Sequence, residues 1–207
     1  MEGCVRLYDL RESTSTMTLI GHGLAALCAK WSPKNEYELW TSGTDGSIIQ
    51  WDIRSPKPKR IHAYSRRTGV MEEAAETHRM VREKAVSYFE FSLDYKTAYT
   101  VDEDGFIKSW NLSSGNGSSP LSLSDTGVVF PRYRFHRLHA EQGILLDRFS
   151  VSTDNTRLYA PFKSHIGVID TSSGREIASL ANSLYPIIGC QFNHCTNVCY
   201  PFLLVSL

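Results

Sequence analysis

TSGTDGSIIQWDIRSPK, residues 41–57, reads as the end of one strand, a tight turn, a second strand and a basic exit. Asp45-Gly46 is a two-residue hairpin signal, because glycine supplies positive φ without steric cost. After it Ile48, Gln50 and Asp52 alternate with Ile49, Trp51 and Ile53, the period of a strand. Arg54 follows where that strand ends and the chain turns outward.

The stretch is written more than once. DGSIIQWDIR at 45–54 returns as DGFIKSWNLS at 104–113, with weaker forms at 2–11 (EGCVRLYDLR) and 163–172 (KSHIGVIDTS). The key position falls at Tyr8, Trp51, Trp110 and Ile169, at intervals of 43, 59 and 59 residues. Before the clearer turns lie β-rich runs, AALCAKWSP and YELWTSG, then VSYFEFSLD and TAYTVDE. Strand-length runs separated by polar turns and repeated at such a period predict an all-β radial or stacked architecture. The one stretch that reads as helix is GVMEEAAETHRMV at 69–81.

Composition narrows the function. Of 207 residues 42% are hydrophobic and 21% charged, enough for a buried core. Lys plus Arg and Asp plus Glu each number 22, so the chain carries no electrostatic footprint for nucleic acid or an acidic membrane. The opening MEGCVRLYDLRE has no apolar signal core, and no apolar run is long enough to cross a bilayer. The five cysteines, odd in number, are expected to be reduced thiols of an intracellular protein. Asn111-Leu-Ser and Asn116-Gly-Ser match a glycosylation acceptor that would matter only in a secreted chain.

Cys190, His194, Cys195 and Cys199 have zinc-ligand chemistry, but the C-x4-C-x3-C spacing lacks a C-x2-C hook. Cys190 also alternates with Phe192, so buried thiols are expected, with no metal and no cofactor. Residues 55–77 read as a long connection, basic at Lys57, Lys59, Arg60, Arg66 and Arg67, then acidic at Glu72, Glu73 and Glu76. Its KPKR is a weak nuclear-import match. SSGNGSSPLSLSDTG at 113–127 reads as a polar turn.

Gly21-His22 precedes Trp51-Asp52 by 29 residues, with SPK and SGTDG between them, and this pattern resembles the WD40 repeat. The resemblance implies an incomplete WD40 β-propeller of about three to four blades, each a four-stranded sheet. The end of one blade occupies 1–20, a clear repeat 21–54, the long connection 55–77, a second repeat 78–112, a degenerate repeat 128–180, and the start of a further blade with an atypical tail 181–207. No second strand is expected after IIGCQFNH, and the chain reads as a fragment, an alternative product or a truncated gene model. In such blades His22, Ser42, Asp45 and Trp51 correspond to a buried tetrad in which aspartate meets imidazole, imidazole meets hydroxyl, and hydroxyl meets indole N–H. The competing reading, Ser42-His22-Asp45 as a hydrolase triad, needs an exposed nucleophile and an oxyanion hole that the sequence does not supply.

Arg54 after Asp52 and Arg11 after Asp9 occupy matching places one repeat apart, on one rim. Single surface arginines keep a protein soluble. A pair, each preceded by an aspartate that can cap the turn, leaves guanidinium forks to engage a partner's carboxylates or carbonyls. The pair resembles the double DxR box of WD40 substrate receptors that dock on the triple-propeller adaptor of cullin-4 ubiquitin ligases. GHGLAALCAKWSPKNEYELWTSGTDGSIIQWDIR, DEDGFIKSWNLSSGN and RLYAPFKSHIGVIDTSSGREI are similar to the Cockayne syndrome A family of excision-repair receptors, over most of residues 2–195. That likeness implies a non-enzymatic nuclear receptor for transcription-repair factors such as the Cockayne syndrome B ATPase and RNA polymerase II. It implies no direct nucleic-acid or membrane partner. Set against that family, the chain is expected to lack its N-terminal helical segment, its early blades and its last blades. A generic WD40 scaffold in RNA processing or chromatin, or a truncated non-functional product, is the alternative.

Overall fold

The computed structural model describes residues 3–55, 57–64, 71–73, 85–103, 105–113, 122–130, 148–162, 164–180, 184, 187–193 and 198–203. They divide into two compact units, Met1–Val86 and Ser87–Leu207.

In the first unit β1 (Gly3–Asp9) and β2 (Thr14–His22) form an antiparallel hairpin. Then β3 (Ala26–Trp31), β4 (Glu38–Gly43), β5 (Ser47–Asp52), β6 (Pro58–Tyr64) and β7 (Met71–Glu73) form one antiparallel sheet in sequence order. The inward residues of the hairpin, Val5, Leu7, Met17 and Leu19, pack on Leu39, Ile49 and Trp51 of the sheet. Alternation produces this contact, since every second residue of β1 and β2 faces the same way. The phase changes at Gly21, where a bulge lets Leu19 and His22 both turn inward. Only glycine fits there: a Cβ would come within 2.8 Å of both the Trp51 ring and Pro58.

Three expectations change in this unit. The Asp45-Gly46 turn is a three-residue loop: Gly46 N–H donates to the Gly43 carbonyl at 3.1 Å, and Gly46 takes φ 75°. The extra residue sets Asp45 inside the turn with its carboxylate free to reach across it. The connection 55–77 contains β6 and β7, the outer strands of the sheet. Within the stretch read as helix, Met71–Glu73 is strand; 69–70 and 74–81 lie outside the described residues.

The second unit is built on the same plan. β8 (Val86–Phe91), β9 (Thr97–Asp102), β10 (Ile107–Ser113) and β11 (Ser122–Asp125) make one four-stranded sheet. β12 (Ser150–Val151), β13 (Arg157–Phe162), β14 (His165–Asp170) and β15 (Glu176–Leu180) make another, with β16 (Ile187–Asn193) and β17 (Val198–Leu203) as a hairpin. Tyr159, Ile166 and Val168 pack on Ile187, Cys190 and Phe192.

Two further expectations give way here. The polar stretch 113–127 contains β11, where Ser122–Asp125 pairs with β10. A second strand does follow IIGCQFNH, because VCYPFL pairs with β16 and its Pro201 sits on an edge, where a missing N–H is tolerated.

The β8–β9 and β12–β13 turns are copies of one another. Ser92 and Ser152 each donate a hydroxyl to the aspartate two residues on, Asp94 and Asp154. Their N–H groups donate to Thr97 and Arg157 carbonyls at 2.8 and 2.9 Å. Tyr95 and Asn155 take the left-handed conformation, φ 57° in both. The β3–β4 turn closes from Ser32 to Glu38 at 2.9 Å, one residue longer, and that longer turn carries Tyr37.

Candidate partner-binding site

Arg54 leaves β5 and folds back on Asp52. Its Nε donates to Asp52 Oδ1 at 2.8 Å, its Nη2 to Oδ2 at 2.6 Å, and its main-chain N–H to Oδ1 at 3.0 Å. Arg11 repeats the geometry on Asp9 at the end of β1, at 3.2, 2.9 and 2.9 Å. Both aspartates therefore cap their turns as expected. The forks, expected to await a partner, are closed on the chain's own carboxylates. The reason is the two-residue spacing, which brings the guanidinium edge level with the capping carboxylate. The Arg54 fork holds the Asp52 carboxyl far below the ordinary carboxylate range, and Arg11 lowers Asp9 in the same sense. Each arginine keeps three N–H groups for an outside acceptor. Their side chains stay 65% and 89% exposed.

Behind the Arg54 rim lies the buried tetrad. His22 Nδ1 reaches the Asp45 carboxylate at 3.1 Å, and Asp45 also accepts from Gly23 N–H at 2.8 Å and from Ser47 Oγ at 2.6 Å. His22 Nε2 meets Thr41 Oγ1 at 2.7 Å, and Trp51 Nε1 donates to that same oxygen at 2.8 Å. The hydroxyl of the tetrad is thus Thr41, not Ser42. Strand alternation is the cause. Thr41 shares the face of β4 with Leu39, opposite Ile49 and Trp51, whereas Ser42 stands opposite Ile48 on the other face. Among the described residues Ser42 Oγ is buried with no hydrogen-bond partner, so the triad Ser42-His22-Asp45 does not assemble.

The hydrogen bonds run unbroken from the Trp51 indole through Thr41 and His22 to Asp45. Burial pushes the Asp45 carboxyl up, but hydrogen bonds and charge from His22, with Ser47, more than offset it and leave it lowered.

The second repeat keeps the same lock. Trp110 Nε1 donates to Thr100 Oγ1 at 2.9 Å, again ten residues upstream. Comparing the two repeats was the available signal, because Thr41 matches Thr100 while Ser42 matches Val101. His78 lies outside the described residues, as do His194 and Cys195. Cys190 is buried, donates to the Tyr159 carbonyl at 3.0 Å, and has its thiol pushed up by that burial. Among the described residues no three metal-ligating side chains gather.

No family model matches the chain. Over 50 residues it is 42% identical to WD repeat-containing protein ATCSA-1 of Arabidopsis thaliana, covering 24% of this chain and 11% of that protein. Over 57 residues it is 46% identical to ribosome biogenesis protein YTM1 of Pyricularia oryzae, covering 26% and 12%. Over 64 residues it is 36% identical to protein DSE1 of Debaryomyces hansenii, covering 28% and 9%. The matches span about a tenth of the length of these curated relatives. Antiparallel sheets of four and five strands, with tryptophan locked to threonine in two of them, make this an all-β chain consistent with a partial WD40 propeller and similar to WD-repeat proteins.

Proposed function

We propose that this chain is part of a WD-repeat protein-interaction scaffold that serves as a substrate receptor of a cullin-4 ubiquitin ligase in nuclear, transcription-coupled excision repair. The observation that carries the reading is the doubled latch: Asp9–Arg11 and Asp52–Arg54 end matching strands with the same three hydrogen bonds. Such a pair presents two pre-set cationic groups to the ligase's triple-propeller adaptor, with little side-chain entropy left to lose on docking. The likeness to ATCSA-1 supports this reading. Substrate-side partners would be transcription-repair factors, among them the Cockayne syndrome B ATPase and RNA polymerase II. The likeness to YTM1 favours a second reading, a scaffold in ribosome biogenesis.

The test is adaptor capture by the full-length protein that contains this chain, with Arg54→Ala and Arg11→Ala singly and together. Docking through the latches requires at least tenfold weaker capture by the double variant, with an unchanged melting temperature. Unchanged capture overturns it. Recovery of ribosomal precursor particles in place of the adaptor would support the second reading.

A further inference from the structure

Arg54 has a support beyond its aspartate. Its guanidinium carbon lies 5.0 Å from the centre of the Tyr37 ring, a cation–π arrangement. Tyr37 is itself held in place: its carbonyl accepts from Ile53 N–H at 2.9 Å, and its N–H donates to Asn35 Oδ1 at 3.0 Å. The turn before β4 is thereby tied to the residue preceding Arg54. None of the described rings covers Arg11, which is the more exposed of the two.

These contacts decide which parts of Arg54 remain usable. Nε–H and one Nη2–H are spent on Asp52, and Tyr37 occupies one side of the plane. The second Nη2–H and both Nη1–H groups remain, along the edge away from the carboxylate. The Arg54–Asp52 pair is neutral as a unit, so a partner carboxylate at that edge would meet another carboxylate close by. Neutral acceptors would not. Tyr37 is 43% exposed and offers apolar surface beside the same edge.

We propose that Tyr37 is the positioning residue that makes Arg54, rather than Arg11, the anchor of the docking rim, and that the rim fits a partner surface presenting main-chain carbonyl oxygens beside an apolar group. This rests on the docking reading above and extends it to the chemistry of the partner's face. At the place of Tyr37, whose carbonyl takes the N–H two residues past the key position, the sheets β8–β11 and β12–β15 carry Lys96 and Thr156, which have no ring.

The test titrates purified adaptor against the full-length protein carrying Tyr37→Ala, Tyr37→Phe or Arg54→Ala, at ~0.05 M and ~0.5 M salt. Tyr37→Ala should weaken binding roughly five- to tenfold, while Tyr37→Phe, which keeps the ring face, should bind as the parent does. Binding should change little between the two salt concentrations. Parent-like binding by Tyr37→Ala beside a loss in Arg54→Ala overturns the role of Tyr37 and leaves the docking reading standing. No loss in Arg54→Ala overturns the docking reading itself. An equal loss in Tyr37→Phe would mean that the hydroxyl acts and not the ring face, and a steep salt dependence would reject neutral acceptors. If Tyr37→Ala lowers the melting temperature, Tyr37→Leu keeps the bulk, removes the π face and carries the same opposed outcomes.

Discussion

At one pair of strand positions the sheets use opposite chemistry. The sheet of the first unit sets Thr41 and Trp51 where the sheet β12–β15 sets Ala160 and Ile169, all four fully buried. An indole brings a buried N–H that must be met, so the tryptophan comes with a threonine ten residues earlier. Isoleucine brings no donor, and the threonine is replaced by alanine. In the sheet β8–β11 Trp110 and Thr100 are paired in the same way as Trp51 and Thr41. Donor and acceptor are kept or lost together, which explains why the third repeat looks worn in sequence yet forms a sheet of the same strand order.

The sharpest way to break this comparison is to separate donor from acceptor. Thr41→Ala leaves both the Trp51 N–H and His22 Nε2 unmet, and should cost about 3 kcal/mol in the full-length protein. Thr100→Ala strands the Trp110 N–H and should cost about half as much, ~1.5 kcal/mol. Ser42→Ala, which removes a hydroxyl that bonds none of the described groups, should leave stability unchanged or raise it. Urea unfolding of the three variants decides the order. If Ser42→Ala proves the costliest, the placement of Thr41 in the tetrad is wrong.

Much of this was legible beforehand, and the misses have physical causes. Trp51, His22 and Asp45 stand out in the sequence because aromatic and turn residues recur at long, easily counted intervals. Ser42 was misplaced because a one-residue step along a strand changes faces, and a single repeat does not say which face is which. The outermost strands β7 and β11 are hard to read in the sequence for another reason. Outermost strands pair on one side only and need little hydrophobic pattern, as Glu176–Leu180 shows by being exposed at every position. The Asp–Arg spacing was visible at both sites, but its closure on itself depends on side-chain geometry that no pattern of residue types encodes.

Acid should distinguish the two kinds of lock as well. The Asp45 carboxyl is lowered on folding, so it stabilises the native state above its unfolded value near 4, and that contribution is lost as pH falls through its folded value. The β13–β14 pair that carries Ala160 and Ile169 has no such carboxylate in its turn; Asp170, lowered by Ser173 and Ser172, lies half-buried at the strand end. Below about pH 4 the parent should therefore lose stability more steeply than Asp45→Asn, which is weaker at neutral pH but has no carboxylate at that position to protonate. Parallel stability–pH curves for the two proteins would remove the His22–Asp45 pair as the source.

The smallest effect comes from the other face of the same strands. Gln50, Ser109 and Val168 each stand one residue before the key position of their repeat. Ser109 shares a hydrogen bond with Thr126, and Val168 needs none. Gln50 is buried, and among the described residues neither its Oε1 nor its Nε2 is met. A buried amide without partners costs free energy that an apolar side chain of similar size does not. Gln50→Leu should raise stability by ~1 kcal/mol, the sign opposite to that of Thr41→Ala on the facing side of the sheet. The two substitutions separate burial from polarity. Both remove polar atoms from buried positions, but only at Thr41 were those atoms part of a closed hydrogen-bond chain. A loss of stability in Gln50→Leu would show that the amide is met by a group the fold brings to it, and that the face of Ser42 and Gln50 is built on polar contacts after all.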